Sequence, residues 1–240
     1  GPCGGLAWDG KAMLFSVAGL LTPKKSGTDV ETKKYVTALR KVWRAIRKKY
    51  RKEILHEADW QFFRLRPQNF PTVRLAAVSF LLEKLTAGKD WLRKIIQTVK
   101  SQTATEKAKL DTLKSLFSVE GQGYWSEHFT FGGQSHRPLK NLLGAERIED
   151  IILNTIIPIT LLYARIFKDP VVRAQALKLY ENFPALESNS ILNTMRSQLL
   201  KTRVPLGTAY IQQGTIQLHK FYCVEERCGE CEIGKIVFAD

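Results

Sequence analysis

Apolar residues recur at helical spacing along most of this chain. Between residues 30 and 55 they return every three or four positions, which is the period of a helix that buries one face. The same pattern predicts further helices over residues 73–85, 91–100, 105–117, 146–167, 170–181, 189–200 and 208–221. Pro67 and Pro71 interrupt the pattern, because proline lacks a backbone N–H and restricts the residue before it. The sequence therefore predicts a chain built mostly of separate amphipathic helices.

The period changes clearly in one region of the chain. Residues 124–131 alternate between polar and apolar side chains and lie between glycines, which is typical of a strand or a short hairpin. The predicted fold is therefore mainly α, a helical bundle with one short extended or β-hairpin insert near residues 122–133. We find no clear boundary between domains, so we expect residues 1–240 to form a single, mostly helical domain.

The composition is that of an ordinary globular protein with a basic surface. Of 240 residues, 44% are hydrophobic and 25% are charged, and Lys plus Arg outnumber Asp plus Glu by 37 to 23. The most apolar uncharged stretch, residues 151–164, is shorter than the roughly 20 residues that span a membrane and contains Asn154 and Pro158. Four cysteines do not make a disulfide framework, so we expect a cytoplasmic protein.

The predicted helix at residues 30–55 concentrates positive charge on its polar face. Such a stripe is suited to the phosphates of a nucleic acid. The residues predicted to bind are Arg40, Lys41, Arg44, Arg47, Lys48, Lys49, Arg51 and Lys52. The alternative is a plain solvated face that serves solubility, because charge runs often do only that.

A second cationic set lies around the proline loop and consists of Arg64, Arg66 and Arg74. The loop precedes a predicted helix, and the free N–H groups at a helix N-terminus attract anions. We therefore predict that these arginines bind an anion or nucleic acid. The alternative is that Arg64 or Arg66 pairs with a buried carboxylate such as Glu149 or Asp150 and holds helices together.

Three cysteines near the C-terminus have the spacing of metal ligands. Cys228 and Cys231 are separated by two residues, as in a zinc knuckle, and Cys223 precedes them by five positions. His219 lies one helical turn before Cys223 and supplies a candidate fourth ligand. The predicted metal site is therefore Cys223, Cys228, Cys231 and His219, holding zinc or an iron–sulfur cluster. The alternative is that reduced cysteines pack a C-terminal turn.

The sequence predicts no catalytic residue. Ser126 and His128 would share a face of an extended segment whereas Glu127 would not, and no catalytic triad or phosphate-cradling loop is evident. We expect His128 to be a hydrogen-bonded structural residue and Asn154 to be buried and hydrogen-bonded within its helix. The least favoured hypothesis is an enzyme. Its centre would be a metal, the loop that carries Arg64 and Arg66 (the arginine loop), or His128 with the carboxylates near residue 150. We expect this chain not to be an enzyme by itself.

Three stretches of the sequence together resemble one family. They are Arg64-Leu-Arg-Pro-x-Asn-Phe-Pro-x-x-Arg74-Leu75, then Tyr124-Trp125-x-x-His128-Phe129-x-Phe131 with Arg147-Ile-Glu-Asp-Ile-Ile-x-Asn154-Thr-Ile-Ile-Pro158, and Gln217-Leu218-x-x-x-Tyr222-Cys223-x4-Cys228-x2-Cys231-x-Ile233-Gly234. The combination resembles an uncharacterised bacterial family, domain of unknown function family 2851 (DUF2851). Members of that family join a β-rich, nuclease-like N-terminal half to a helical C-terminal half. The resemblance implies that this chain is the helical half and lacks the other, and it carries over no catalytic residue.

Two functions remain open from the sequence. The first is a nucleic-acid-binding accessory module that uses the basic helix, has a cysteine metal site near its C-terminus and does not enter a membrane. The alternative is a structural or interaction domain that completes the fold of a missing N-terminal, nuclease-like half. The expected partners are therefore a nucleic acid or that N-terminal half.

Overall fold

The computed structural model describes residues 6–21, 29–49, 54–88, 90–135, 137–197 and 205–237. It is mainly helical with a two-stranded antiparallel hairpin, which confirms the predicted fold class. The helices are α1 Leu6–Val17, α2 Val30–Ile46, α3 Pro71–Ala87, α4 Trp91–Lys100, α5 Glu106–Phe117, α6 Tyr124–Glu127, α7 Ala145–Ile151, α8 Ile157–Ile166, α9 Pro170–Glu181, α10 Ser190–Met195, α11 Ala209–Leu218 and α12 Glu232–Val237. The strands are β1 His128–Thr130 and β2 Gly133–Gln134.

The chain divides into two compact units. The first comprises Gly1–Trp91 and Leu116–Gly144, and the second comprises Leu92–Ser115 and Ala145–Asp240. The first unit contains α1 to α3, α6 and the hairpin, whereas the second contains α7 to α12 and most of α4 and α5. The prediction that the whole chain forms a single domain stays a prediction.

Helix α2 begins at a strong cap and is shorter than the sequence pattern predicts. Asp29 caps it by accepting a hydrogen bond from the backbone N–H of Thr32 at 2.7 Å. The helix ends at Ile46 and passes into a short 3₁₀ turn, Arg47–Lys49. Residues 54–56 are not helical, so the predicted helix over 30–55 is too long.

The segment after α2 returns to the end of α1. The backbone N–H of Leu55 donates to the carbonyl oxygen of Val17 at 2.7 Å. Gly19, at φ +67°, permits this approach, because a Cβ at that position would lie 2.0 Å from the carbonyl oxygen of Leu55. At Leu55, where the sequence alone predicts helix, the chain therefore contacts the end of α1 instead.

Aromatic side chains from separate elements form the core of the first unit. Phe15 of α1 stacks on Trp125 of α6 with ring centroids 5.3 Å apart, and Tyr35 of α2 stacks on Tyr124 at 4.4 Å. Trp125 is fully buried, and its indole N–H donates to the Tyr35 hydroxyl at 2.9 Å. Burial raises the pKa of Tyr35 to about 12, so this phenol stays protonated at neutral pH. These rings fix α1, α2 and α6 against one another.

The predicted extended segment begins later than the alternation indicates. Residues 124–127 form a helical turn instead, because the Ser126 backbone N–H and hydroxyl both donate to the carbonyl oxygen of Gly123, at 3.0 and 2.6 Å. Only at His128 does the chain become a strand, pairing with Gln134. The expectation that Ser126 and His128 share a strand face is therefore wrong.

A π-helical segment, Ile152–Ile156, joins α7 to α8 where the sequence predicts one helix over residues 146–167. Pro158 follows it within the first turn of α8, where a missing N–H is tolerated. Asn154 lies in this wider turn and is exposed, which contradicts the predicted burial. The π-helical turn directs this side chain outward. Its amide N–H donates to the carbonyl oxygen of Asp150 at 3.1 Å, and its amide oxygen accepts from Gln213 at 2.9 Å.

The second unit holds a buried lysine. The Lys109 side chain is 0% exposed, and its ammonium lies 3.1 Å from a carboxylate oxygen of Glu106 and 2.7 Å from the amide oxygen of Gln175.

Helix α9 of the same unit is capped by Asp169, which precedes a proline at the first helical position. Lys100 donates to that carboxylate at 2.7 Å, and this contact together with the helix N–H groups lowers the pKa of Asp169.

Within the described ranges, no helix combines the length and the apolar character that crossing a membrane requires.

Candidate functional site

The exposed side of α2 carries a row of positively charged side chains. We call this row the cationic face of α2, and its members are Lys33, Lys34, Lys41 and Arg44 of the helix with Lys48 of the 3₁₀ turn that follows it. All five are exposed, and they recur at helical spacing opposite the buried residues Thr32, Leu39 and Val42. At 1.5 Å per residue the row is about 22 Å long. In the described part of the chain, none of the five forms an ion pair.

The other cations predicted on this helix have different surroundings. Arg40 is half-buried, and its guanidinium donates two hydrogen bonds to the carbonyl oxygen of Leu21, at 3.2 and 2.5 Å. Arg40 therefore anchors the end of the α1 segment, although the sequence places it among the binding residues. Arg47 is exposed beside the cationic face. The Lys49 side chain and residues Arg51 and Lys52 lie outside the described part.

The three arginines of the proline loop are all exposed. Arg64 has a positive φ of 59°, and its guanidinium lies 5.2 Å from the ring centre of Phe63. Arg66 precedes the short 3₁₀ turn Pro67–Asn69, and Arg74 lies in the first turn of α3. That first turn is buried at Pro71, Thr72 and Val73, and the Thr72 hydroxyl donates to the carbonyl oxygen of Phe129 rather than capping the helix.

The carboxylates considered as partners for these arginines have partners of their own. Glu149 pairs with Lys114 at 2.6 Å, and Asp150 pairs with Arg147 at 2.8 Å. Both pairs lie within the second unit. The suggested pairing with Arg64 or Arg66 is therefore not needed to satisfy these carboxylates.

The three C-terminal cysteines lie on successive short elements. Cys223 ends a π-helical segment, His219–Cys223, Cys228 begins a 3₁₀ turn, Cys228–Glu230, and Cys231 directly precedes α12. Cys223 and Cys228 are exposed, whereas Cys231 is buried. Partial desolvation raises the pKa of the Cys223 thiol, and the nearby Cys231 and Cys228 raise it further. The three thiols are therefore close enough to interact electrostatically.

Close backbone packing supports this turn. A Cβ at Gly234 would lie 2.2 Å from the carbonyl oxygen of Cys228, so α12 approaches the turn more closely than any side chain permits. The Cys231 backbone N–H donates to the same oxygen at 3.2 Å. The Nδ1 atom of His219 is buried and, among described atoms, has no hydrogen-bond partner.

Asp29, Glu31 and His128 form another group of potential metal ligands, which we call the Asp29–Glu31–His128 group. One ligand atom from each residue lies within 4.8 Å of the other two, and the described residues bring no other set of three ligating side chains this close. The cysteine cluster with His219 therefore does not reach this spacing in the structure. Asp29 is half-buried, Glu31 is exposed and His128 is 0% exposed.

The histidine of this group has one satisfied and one unsatisfied ring nitrogen. Its Nδ1 lies 2.9 Å from the carbonyl oxygen of Tyr124, and the two rings stack at 3.9 Å. Its Nε2 is buried without a hydrogen-bond partner in the described structure. Sequence reasoning missed the group because His128 lies far along the chain from Asp29 and Glu31, with no motif linking them.

These features define a mainly helical protein that carries a cationic helix face, a C-terminal cluster of cysteines and one close group of potential metal ligands. The chain belongs to the family described as Protein of unknown function (DUF2851), whose family model matches residues 7–190. The match confirms the family and contains the cationic face of α2, Arg64, Arg66, Arg74 and the Asp29–Glu31–His128 group, whereas the cysteine stretch at residues 217–234 lies outside the matched range. No curated protein and no solved structure matches the chain.

Proposed function

We propose that this chain is a nucleic-acid-binding helical module, an accessory domain that contacts phosphates through the cationic face of α2. The observation that carries the proposal is the row of five exposed, unpaired cations on one side of a helix whose other side is buried. Cations without carboxylate partners keep their full attraction for phosphate, and binding releases counterions from the nucleic acid. The row therefore supports binding to the backbone of a nucleic acid.

The surroundings of the row favour contacts to phosphates over contacts to bases. Tyr35, on the opposite side of α2, is held in the aromatic core with Tyr124 and Trp125. Exposed rings on which bases stack are the usual basis of single-strand recognition. We therefore expect binding with little sequence preference.

The first test is a titration of fluorescently labelled duplexes of two unrelated sequences, followed by anisotropy between roughly 50 and 200 mM salt. The matched pair of variants is Lys41→Gln/Arg44→Gln/Lys48→Gln on the cationic face and Arg93→Gln/Lys94→Gln/Lys107→Gln on exposed positions of α4 and α5. Both triples remove three charges. We expect the first to reduce the slope of log K against log salt by up to about 2.7, because each phosphate contact contributes about 0.9.

The control triple should leave that slope close to the wild-type value. Equal losses in both triples would show attraction to net charge rather than to the cationic face. Undetectable binding at about 50 mM salt would reject the proposal.

A different observation favours the structural or interaction domain as a second candidate. Ile159, Leu162 and Ile166 on α8 are 41%, 53% and 63% exposed and recur at helical spacing. An exposed apolar row of this kind is suited to another protein surface, such as an N-terminal half of the same family. Absence of nucleic-acid binding together with concentration-dependent self-association would favour this candidate.

We also propose that Cys223, Cys228, Cys231 and His219 hold zinc or an iron–sulfur cluster in a reducing compartment, the cytoplasm. Support comes from the partly desolvated Cys223 thiol, whose pKa Cys231 and Cys228 raise further because they lie near it, and from the buried, unpartnered Nδ1 of His219. A cation relieves the repulsion between neighbouring thiolates and draws them together. The site would then be a folding element of the C-terminal turn.

Elemental analysis of freshly purified, reduced protein tests the cysteine site. We expect about one zinc or a few irons per chain in the wild type and loss of that metal in Cys228→Ser. Cys3→Ser is the matched control, because Cys3 lies at the other end of the chain, and it should keep the metal. Metal-free wild-type protein, or full metal content in Cys228→Ser, would return these cysteines to a packing role.

A further inference from the structure

We propose that Asp29, Glu31 and His128 bind a divalent transition-metal ion, Mn²⁺ or Zn²⁺, at the start of α2. The proposal is independent of nucleic-acid binding and of the cysteine site. It stands on the convergence of the three side chains within 4.8 Å and on the buried, unpartnered Nε2 of His128.

The hydrogen bond of His128 prepares it to be a metal ligand. A carbonyl oxygen only accepts, so the Nδ1 that faces Tyr124 carries the ring proton in the neutral imidazole. The lone pair is then on Nε2. A histidine whose other nitrogen donates to a backbone carbonyl is the usual arrangement around protein-bound metals, because that contact fixes the tautomer and the ring plane. Stacking on Tyr124 restrains the ring further.

An empty Nε2 at this position is unusual in a folded protein. Buried polar atoms nearly always have a hydrogen-bond partner, and one without a partner calls for an ion, a water molecule or a functional role. The side chains grouped with His128 are the carboxylates of Asp29 and Glu31, and carboxylates are themselves metal ligands. A cation between them satisfies the nitrogen and both carboxylates together.

The two carboxylates have different roles at this site. Asp29 is fixed, because its oxygens accept from the Thr32 backbone N–H and hydroxyl, each at 2.7 Å. Each oxygen retains a lone pair for a further contact, because a carboxylate oxygen can accept more than one hydrogen bond or metal contact. Glu31 is exposed, so its side chain can adjust to complete the coordination.

The spacing and the donor types indicate the class of ion. Bonds of about 2.0 to 2.2 Å place the ligands of one ion roughly 3 to 4.4 Å apart, so the observed limit of 4.8 Å requires only a small closing movement. Imidazole suits zinc and other transition metals, whereas carboxylates also suit manganese. With three protein ligands and an exposed side, the ion would keep positions open to solvent.

Titration with Mn²⁺, followed by the electron paramagnetic resonance signal of the free ion, tests the site. Mn²⁺ is chosen because thiolates prefer softer ions, and the Cys228→Ser background removes the cysteine site from the measurement. We expect about one Mn²⁺ per chain and competition by Zn²⁺. Glu31→Gln should lower the Mn²⁺ affinity at least about tenfold. Loss of a group that only hydrogen-bonds to a metal ligand already costs about that much, and this change removes a ligand itself.

Asp29→Asn supplies a second variant whose helix should remain intact. Asparagine caps helices as well as aspartate does, so this change removes a charged ligand without removing the cap. Its Mn²⁺ affinity should also fall by at least about tenfold. His128→Gln is less informative alone, because the ring is stacked in the core.

The matched control is Glu127→Gln, an exposed carboxylate adjacent to His128 that does not belong to the group. It should bind Mn²⁺ like the wild type. Failure of the Cys228→Ser protein to bind either Mn²⁺ or Zn²⁺ would overturn the proposal, and a bridging water would then explain the empty nitrogen. Unchanged affinity in both Glu31→Gln and Asp29→Asn would overturn it equally.

Discussion

Replacing Trp125 with alanine should lower the free energy of unfolding by about 3–5 kcal/mol. The side chain is fully buried, and it contacts Phe15 at 5.3 Å and Phe131 at 5.5 Å between ring centroids. Alanine removes these contacts and leaves a cavity, because rings supplied by separate elements cannot all collapse into the space. The loss also deprives the Tyr35 hydroxyl of its indole donor.

Urea unfolding followed by far-ultraviolet circular dichroism measures this change. Phe63→Ala is the matched control in the same unit, because Phe63 is 72% exposed, and it should shift stability by less than about 0.5 kcal/mol. Trp125→Phe should fall between the two, since it keeps most of the stacking and loses the hydrogen bond. A loss below about 1 kcal/mol in Trp125→Ala would mean that the aromatic core does not stabilise the protein as described.

Removing the partner of the buried lysine should cost nearly as much. Glu106→Ala leaves the ammonium of Lys109 buried with only Gln175 as a partner, and we expect a loss of about 3 kcal/mol. A buried charge without its counterion is costly because the protein interior solvates it poorly. Lys178, which is 3.6 Å from Glu106, loses only an exposed contact.

The double variant Glu106→Ala/Lys109→Met separates the burial of charge from ordinary packing. Methionine fills much of the lysine volume without a charge, so the double variant should recover at least about 2 kcal/mol relative to Glu106→Ala. Lys114→Met is the comparison for an accessible cation, because the Lys114 side chain is 31% exposed. If the double variant were no more stable than Glu106→Ala, the loss of stability in Glu106→Ala would come from packing and not from the unpaired, buried charge of Lys109.

Local sequence signals predicted the bounds of several helices accurately. The predicted helix over residues 91–100 matches α4, Trp91–Lys100, because its apolar residues are strictly periodic. The pair Asp169-Pro170 set the start of α9, where aspartate caps the helix and proline suits its first position. Helix caps and the spacing of apolar residues depend on only a few neighbouring residues, so both can be recognised in the sequence without knowledge of the tertiary structure.

The errors lie where distant contacts decide the local structure. The helical pattern continues past residue 46 in the sequence, whereas α2 ends at Ile46 and Leu55 contacts Val17 of α1, a contact that no local signal indicates. Similarly, Lys41 and Arg44 were predictable from helical spacing, whereas the anchoring of Arg40 depends on the Leu21 carbonyl oxygen. The Asp29–Glu31–His128 group arises only when α2 and β1 fold together.

The π-helical segments show where this protein can absorb a change of one residue in chain length. A π-helical turn is equivalent to one residue inserted into an α-helix, because the wider turn takes up the extra residue without rotating the helix that follows. Deleting one residue from Ile152–Ile156 should therefore restore regular α-helical winding and leave the buried side of α8, with Thr160 and Ala164, on its present side. By the same counting, a one-residue gap in His219–Cys223 should leave the Cys223 thiol on the same side of the helix. A homologue that is one residue shorter in either segment would lose the π-helical turn and keep the flanking residues in register.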